Sequence, residues 1–396
     1  MSTHTSADVV RVRYTRTPYL VVSTEQHQRK DVYGSIDDSV VRQAQLLRGE
    51  EPSDTAIVAM HPIGSPGYLP AFSQLARSGF HVVACGTRYT TGDASLQMEN
   101  ALLDLAACVR DAKERLGYRR VVLAGWSGGG SLMAGYQAEA EQRTITKTAA
   151  GEPTPLADTE LIPADGLMLM AAHRSRHHLL TDFLDPSITD EDRPKDRDPE
   201  LNLYDPENPN KAPYSAEYVA RYRAAQRERN ARITERALTE LDGMRRSGRG
   251  HDESCFVVHG TMADPRWVDP AIDPNDRRPG WSYLGDPQVA NDGPAGLARF
   301  CTTRGWLSQW SLEYAQVDAV DAAPRITVPT LVVANSADDA VPAAHQRDFF
   351  AALPDGDREF HEIIGANHYF SGKRDQLSHL DAASVIVRDW MCRHDF

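Results

Sequence analysis

The stretch LAGWSGGGSL, from Leu123 to Leu132, sits between two runs of different character. Before it lies RRVV, which continues into the apolar LAG as a buried strand would. After it comes MAGYQAEAEQ, Ala-rich and helix-like. Gly125, Ser127 and Gly129 satisfy G-x-S-x-G. The pattern gains meaning from its place between a strand and a helix, where a sharp turn lifts a serine hydroxyl above a sheet edge. Glycines on both sides remove the Cβ atoms that such a turn would crowd. A phosphate-binding loop would need G-x-x-x-x-G-K-[ST] or G-x-G-x-x-G, and neither is present here. Ser127 is therefore the candidate nucleophile. The backbone N–H of Gly128, at the helix start, can point at a developing oxyanion.

Working outward, the strands and helices alternate. TAIVAMHP (Thr55–Pro62), FHVVACG, RRVVLAG and GLMLMAA (Gly166–Ala172) are short apolar runs. Between them YLPAFSQLARSGF and ASLQMENALLDLAACVRDAKERLG read as helices closed by Gly79 and Gly117. The rhythm resumes with VPTLVVAN (Val328–Asn335), a helix from PAAHQRDFFAALP, the strand REFHEII and a closing amphipathic helix. Such alternation implies right-handed crossovers and a mainly parallel, doubly wound sheet, the α/β class. At the N-terminus VVRVRYT and YLVVST read as two strands split by Pro18, followed by a polar stretch to Asp54.

From His173 to Arg325 the rhythm breaks into Pro-, Asp-, Arg- and Asn-rich sequence, too long for a plain loop. The expected division is a core of residues 1–172 and 326–396, with residues 173–325 inserted as a mostly helical and irregular cap. One helical stripe stands out there, through Tyr218 and Tyr222 and on through Ile233, Ala237, Leu241 and Met244. The arginines between them read as a solvated face. Trp267, Trp281, Trp306, Trp310, Tyr283 and Phe300 fall in the same segment. They form either a small core of its own or an aromatic wall for an apolar substrate group.

A serine hydroxyl needs a base, and the base an orienting group. In this architecture the chain order is Ser, acid, His, each after a later strand. The loop SADDAVP after TLVVAN carries Asp338 and Asp339, and GANHYFSG after REFHEII carries His368. Both loops fall where the order demands. Arg88, in CGTRYTTGD at the same end of the sheet, is either an ion-pair partner or a contact for a substrate carboxylate.

The chain resembles the α/β-hydrolase superfamily over Thr55–Ala172 and from Val328 onward, through G-W-S-G-G, N-S-A-D-D-A-V-P and G-A-N-H-Y-F. That resemblance selects Asp338, three residues before Val341, as the acid, with Asp339 as fallback. It also reads MHPIGS as an oxyanion loop. Pro62 has no N–H to offer, so Ile63 becomes the second oxyanion donor, with Gly64 next. Trp126, Tyr369 and Arg88 complete the residues assigned to substrate contact. The implied activity is hydrolysis of a carboxylic ester, lactone or thioester through an acyl-enzyme, with no cofactor. Carbon–carbon bond hydrolysis and acyl transfer use the same triad. A binding protein on this scaffold would tend to lose a triad member.

The bulk numbers agree. A net charge of −13 over 396 residues argues against nucleic acid or an anionic membrane as partner. No apolar stretch approaches the roughly 20 residues that span a bilayer, and the N-terminus lacks the pattern of a secretion signal. The five cysteines form no CxxC pair and read as buried free thiols, and no metal site is expected. The expectation is a cytoplasmic protein acting on a small molecule with an apolar or aromatic part, with a homodimer left open.

Overall fold

The computed structural model describes residues 9–25, 38–294, 296–374 and 377–396. Its centre is an eight-stranded sheet. In chain order the strands are β1 (Tyr14–Thr24), β2 (Ser39–Gly49), β3 (Thr55–His61), β4 (His81–Gly86), β5 (Arg120–Trp126), β6 (Gly166–Met170), β7 (Thr330–Asn335) and β8 (Arg358–Ile363). Their spatial order is β1-β2-β4-β3-β5-β6-β7-β8. From β4 to β8 every neighbouring pair is parallel. The β1–β2 and β2–β4 pairs are antiparallel.

The central strands are apolar throughout because both faces are covered. Alternate residues divide between two cores. Ala56, Val58, Met60, Val121 and Leu123 pack with α2 (Met98–Arg110) and α3 (Gly128–Glu141). Ile57, Ala59, Val122 and Ala124 face the other way. There they meet Phe72 and Leu75 of α1 (Pro70–Arg77) and Trp390 of the C-terminal helix His379–Arg393.

Two N-terminal expectations need correction. Pro18 does not split the first strand: β1 runs through it, paired with Gln45 of β2. Proline is tolerated there because β1 is an edge strand, where a missing N–H costs no ladder bond on the open side. The stretch read as polar contains β2, whose inward positions include a fully buried Arg42.

Between β6 and β7 the chain forms α4 (Arg176–Phe183), the 31-residue α5 (Ala216–Arg246) and α6 (Thr303–Gln309), besides shorter turns. A two-stranded ladder pairs Cys255–Val257 with Phe300–Thr302. This segment has its own apolar cluster, in which Leu180, Ile233, Leu241, Trp306 and Trp310 meet. Trp267 stacks on Phe183 at 4.7 Å. The face of α5 read as solvated is not wholly so. Arg229 is buried, its guanidinium held by Glu191 and the carbonyls of Asp185, His259 and Gly260. Cys85, Cys108 and Cys301 are buried free thiols, whereas Cys255 and Cys392 are exposed. Among the described residues no helix is long and apolar enough to cross a membrane.

Candidate active site

Five strand ends, those of β3, β5, β6, β7 and β8, meet at one place. β5 ends at Trp126, Ser127 follows, and α3 begins at Gly128. Ser127 holds φ 53°, a left-handed conformation that non-glycine residues rarely adopt. Its side chain makes no capping bond to α3, which leaves the hydroxyl free. The turn is closed by contact. A Cβ on Gly125 would meet the Gly129 carbonyl oxygen at 2.5 Å, and one on Gly129 would meet that of Met60 at 2.5 Å.

The loop after β8 places His368 with its Nε2 3.1 Å from Ser127 Oγ. The loop after β7 places Asp338 with its Oδ2 3.1 Å from His368 Nδ1. Asp338 and His368 are 1% and 2% exposed, so the carboxylate and the imidazole it faces are buried beneath the partly exposed Ser127. The second carboxylate oxygen of Asp338 accepts from the N–H groups of Ala340 and Val341, at 2.9 and 2.8 Å. Those bonds fix the carboxylate plane. Asp339 does not pair with the His368 ring: its carbonyl accepts from Trp267 Nε1, and burial, followed by its neighbour Asp338, raises its carboxyl pKa. Trp126 braces the histidine, donating from Nε1 to the His368 carbonyl at 3.0 Å with its ring 4.7 Å away.

An open cleft of about 460 Å³ lies over Ser127. Trp126, Tyr369, Ile63 and Gly64 line it, as do Leu69, Leu179, Leu297 and Tyr283. Gly128 is the first residue of α3, and the first N–H groups of a helix have no intrahelical partner. Ile63 N–H lies 3.3 Å from His61 Nδ1, while the same nitrogen is 2.7 Å from the Ile63 carbonyl. The shorter contact puts the imidazole proton on Nδ1 and leaves Nε2 as a lone pair. Arg88, assigned to substrate contact from the sequence, does not line the cleft. Its guanidinium is committed to Asp104 and Glu25, at 2.8 and 2.7 Å. Of the aromatic residues named in the segment between β6 and β7, Tyr283 reaches the cleft, while Trp267, Trp306 and Trp310 are packed within that segment.

Three polar residues of the cleft escaped the sequence reading. His61 ends β3, His173 follows β6, and Arg176 opens α4. A Cβ on Gly128 would lie 3.0 Å from His61 Nε2 and 3.3 Å from His173 Nε2. Burial lowers the His61 pKa to about 4 and drives that of His173 well below the ordinary value, with Arg176 adding to both. Both rings are therefore neutral near pH 7. The signal for the two histidines was in the sequence, since each stands just beyond a parallel strand's carboxyl end, where such sheets place ligands.

No protein-family profile matches the chain, and no curated protein matches it. Among solved structures, the α/β hydrolase GrgF from Penicillium sp. sh18 superposes with a TM-score of 0.51 at 11% identity, over 96% of this chain and 99% of that one. The chain has the α/β-hydrolase fold. DcsB, in complex with its substrate analogue, gives 0.48 at 14% identity over 96% and 98% of the two chains. A thermophilic esterase from Thermogutta terrifontis gives 0.44 at 14% over 96% and 100%. At such identities the likeness concerns the α/β-hydrolase architecture alone, and chemistry has to be argued from the site.

Proposed function

We propose that the protein is a serine hydrolase acting on carboxylic esters, lactones or thioesters. The observation that carries this reading is the file Asp338–His368–Ser127, 3.1 Å at each step, with its serine on a strained turn above a cleft. His368 Nε2 takes the proton as Ser127 Oγ attacks the acyl carbonyl. Asp338 holds the Nδ1 proton in place and stabilises the imidazolium. The negative oxygen is received by the N–H groups of Gly128 and Ile63. The alcohol or thiol leaves with the proton from His368. Water then enters, gives a proton to His368 and releases the acid. No cofactor takes part.

Residues 173–325 act as a cap in this reading. Support comes from Arg176, Leu179, Tyr283 and Leu297, which line the cleft from that segment opposite Ile63 and Trp126. The mainly apolar lining favours a small substrate with an apolar body. An ester or thioester is favoured over an amide because its leaving group departs more readily.

Intact-protein mass spectrometry after fluorophosphonate treatment tests the reading. One adduct on the wild type and none on Ser127→Ala is the expected result, followed by turnover of simple aryl esters. A folded wild type that takes up no reagent would overturn it.

A further inference from the structure

The cleft over Ser127 is lined by no Asp or Glu among the described residues, and Arg176 is its one Arg or Lys. A cation in an apolar cleft is costly unless it is matched. Arg176 is 3% exposed. Its Nε donates to Gln309 Oε1 at 2.9 Å and its Nη2 to Asp93 Oδ2 at 2.7 Å. The guanidinium carbon lies 4.1 Å from the centroid of Trp310, which fixes the plane of the group. Among the described residues the guanidinium's hydrogen bonds are those of Nε and Nη2, and Nη1 makes none.

Asp93 matches the charge incompletely. Its side chain keeps 19% exposure, so part of its charge is spent on water. Burial accordingly lowers the Arg176 pKa in spite of Asp93. A guanidinium held on two nitrogens, in a residue that lines an apolar cleft, is arranged to receive an oxygen from a ligand on its third. A carboxylate does so best, since it supplies both the hydrogen bond and the missing charge.

On the hydrolase reading above, we propose that Arg176 anchors a carboxylate at the end of the substrate remote from the scissile bond. The substrate class is a half-ester or comparable acyl compound. Its reacting carbonyl sits over Ser127, its apolar body lies against Leu69, Leu179 and Leu297, and its free carboxylate meets Nη1 of Arg176. With His61 and His173 of the cleft neutral, that carboxylate has a single cation to seek. Arg176 is a specificity determinant here and takes no part in bond making.

The test is a ratio, insensitive to how much of each variant is folded. Two 4-nitrophenyl esters of adipic acid are compared, one with its distal carboxylate free and one with it methylated. Wild type should favour the free acid in kcat/KM by about 10- to 100-fold, the range of a charged hydrogen bond. Arg176→Gln should bring the ratio close to one, and Arg176→Lys should retain part of it. A wild type without preference, or an Arg176→Gln protein with the wild-type ratio, would overturn the proposal. Binding is read separately on Ser127→Ala, whose Tm should rise with monomethyl adipate, and not when Arg176→Gln is added. If neither ester is turned over faster than by Ser127→Ala but this shift persists, the anchor stands and the hydrolase reading falls. If the shift is absent as well, both fall.

Discussion

At the scale of the residue, the site depends on groups that sequence can name and on distances it cannot. Adjacent aspartates after β7 share one loop, and the fold bears out the one that the resemblance selects. Asp338 Oδ2 lies 3.1 Å from His368 Nδ1, and Asp339 does not pair with that ring. Asp338→Asn should therefore lower kcat by about four orders of magnitude, the loss expected when an imidazole is held in the wrong tautomer. Asp339→Asn should stay within several-fold of wild type, measured on the same ester. Equal losses from both would mean that the loop, not the carboxylate, matters. The glycines are as discriminating. Gly125→Ala drives a methyl to 2.5 Å from the Gly129 carbonyl oxygen, closer than real Cβ contacts allow. We expect it to abolish fluorophosphonate labelling and to cost more than about 2 kcal/mol of stability by urea unfolding. Ser127, Asp338 and His368 were legible because the chemistry fixes their order along the chain. Arg176 was not, since its meaning comes from Asp93, Gln309 and Trp310, which lie far from it in sequence.

At the scale of the element, apolar periodicity located the central strands and their helices well, because burial on both faces leaves an uninterrupted apolar run. It failed at β2, for a reason visible in Arg42. This arginine takes an inward position that a strand normally gives to an apolar residue, so the alternation reads as broken. Its charge is met by Asp104 of α2 at 2.6 Å and by Glu25 beyond β1. Asp104 also accepts from Arg88, at 2.8 Å from both Nη2 and the backbone N–H. One carboxylate thus joins the antiparallel edge of the sheet to α2 and to the loop after β4. Removing it takes from two buried guanidiniums the carboxylate they share. Asp104→Ala should cost about 3–5 kcal/mol, as breaking a buried ion pair does. The rate of fluorophosphonate labelling per folded molecule should be unchanged, because the network does not reach the cleft. A urea midpoint equal to wild type would show that the network contributes nothing net.

At the scale of the whole molecule, the same burial that makes the site makes the protein sensitive to acid. Burial lowers the pKa of His61 to about 4 and of His177 to about 3, and takes His173 and His345 well below the ordinary 6.5. These folded-state values lie under the unfolded one, so the unfolded chain binds protons first as the pH falls. Their contribution is fully present about one pH unit above the unfolded value of about 6.5. It is lost as the pH drops toward the folded values, at up to about 1.4 kcal/mol per pH unit for each ring. Four rings titrating together would give a slope of about 5 kcal/mol per unit near pH 5.5. Glu99, whose pKa is raised by burial, works in the opposite direction and offsets part of this at the acid end. Stabilities from urea unfolding at pH 7.5, 6.5 and 5.5 should accordingly fall by about 1.4 kcal/mol over the first step and by about 4 kcal/mol over the second. His345→Gln removes one of the four rings without touching the triad. Its stability slope between pH 6.5 and 5.5 should be shallower than that of wild type by about 1 kcal/mol per unit. An unchanged slope would mean that His345 takes up its proton in the folded protein as readily as in the unfolded chain, and that the interior around it is wetter than its 7% exposure implies.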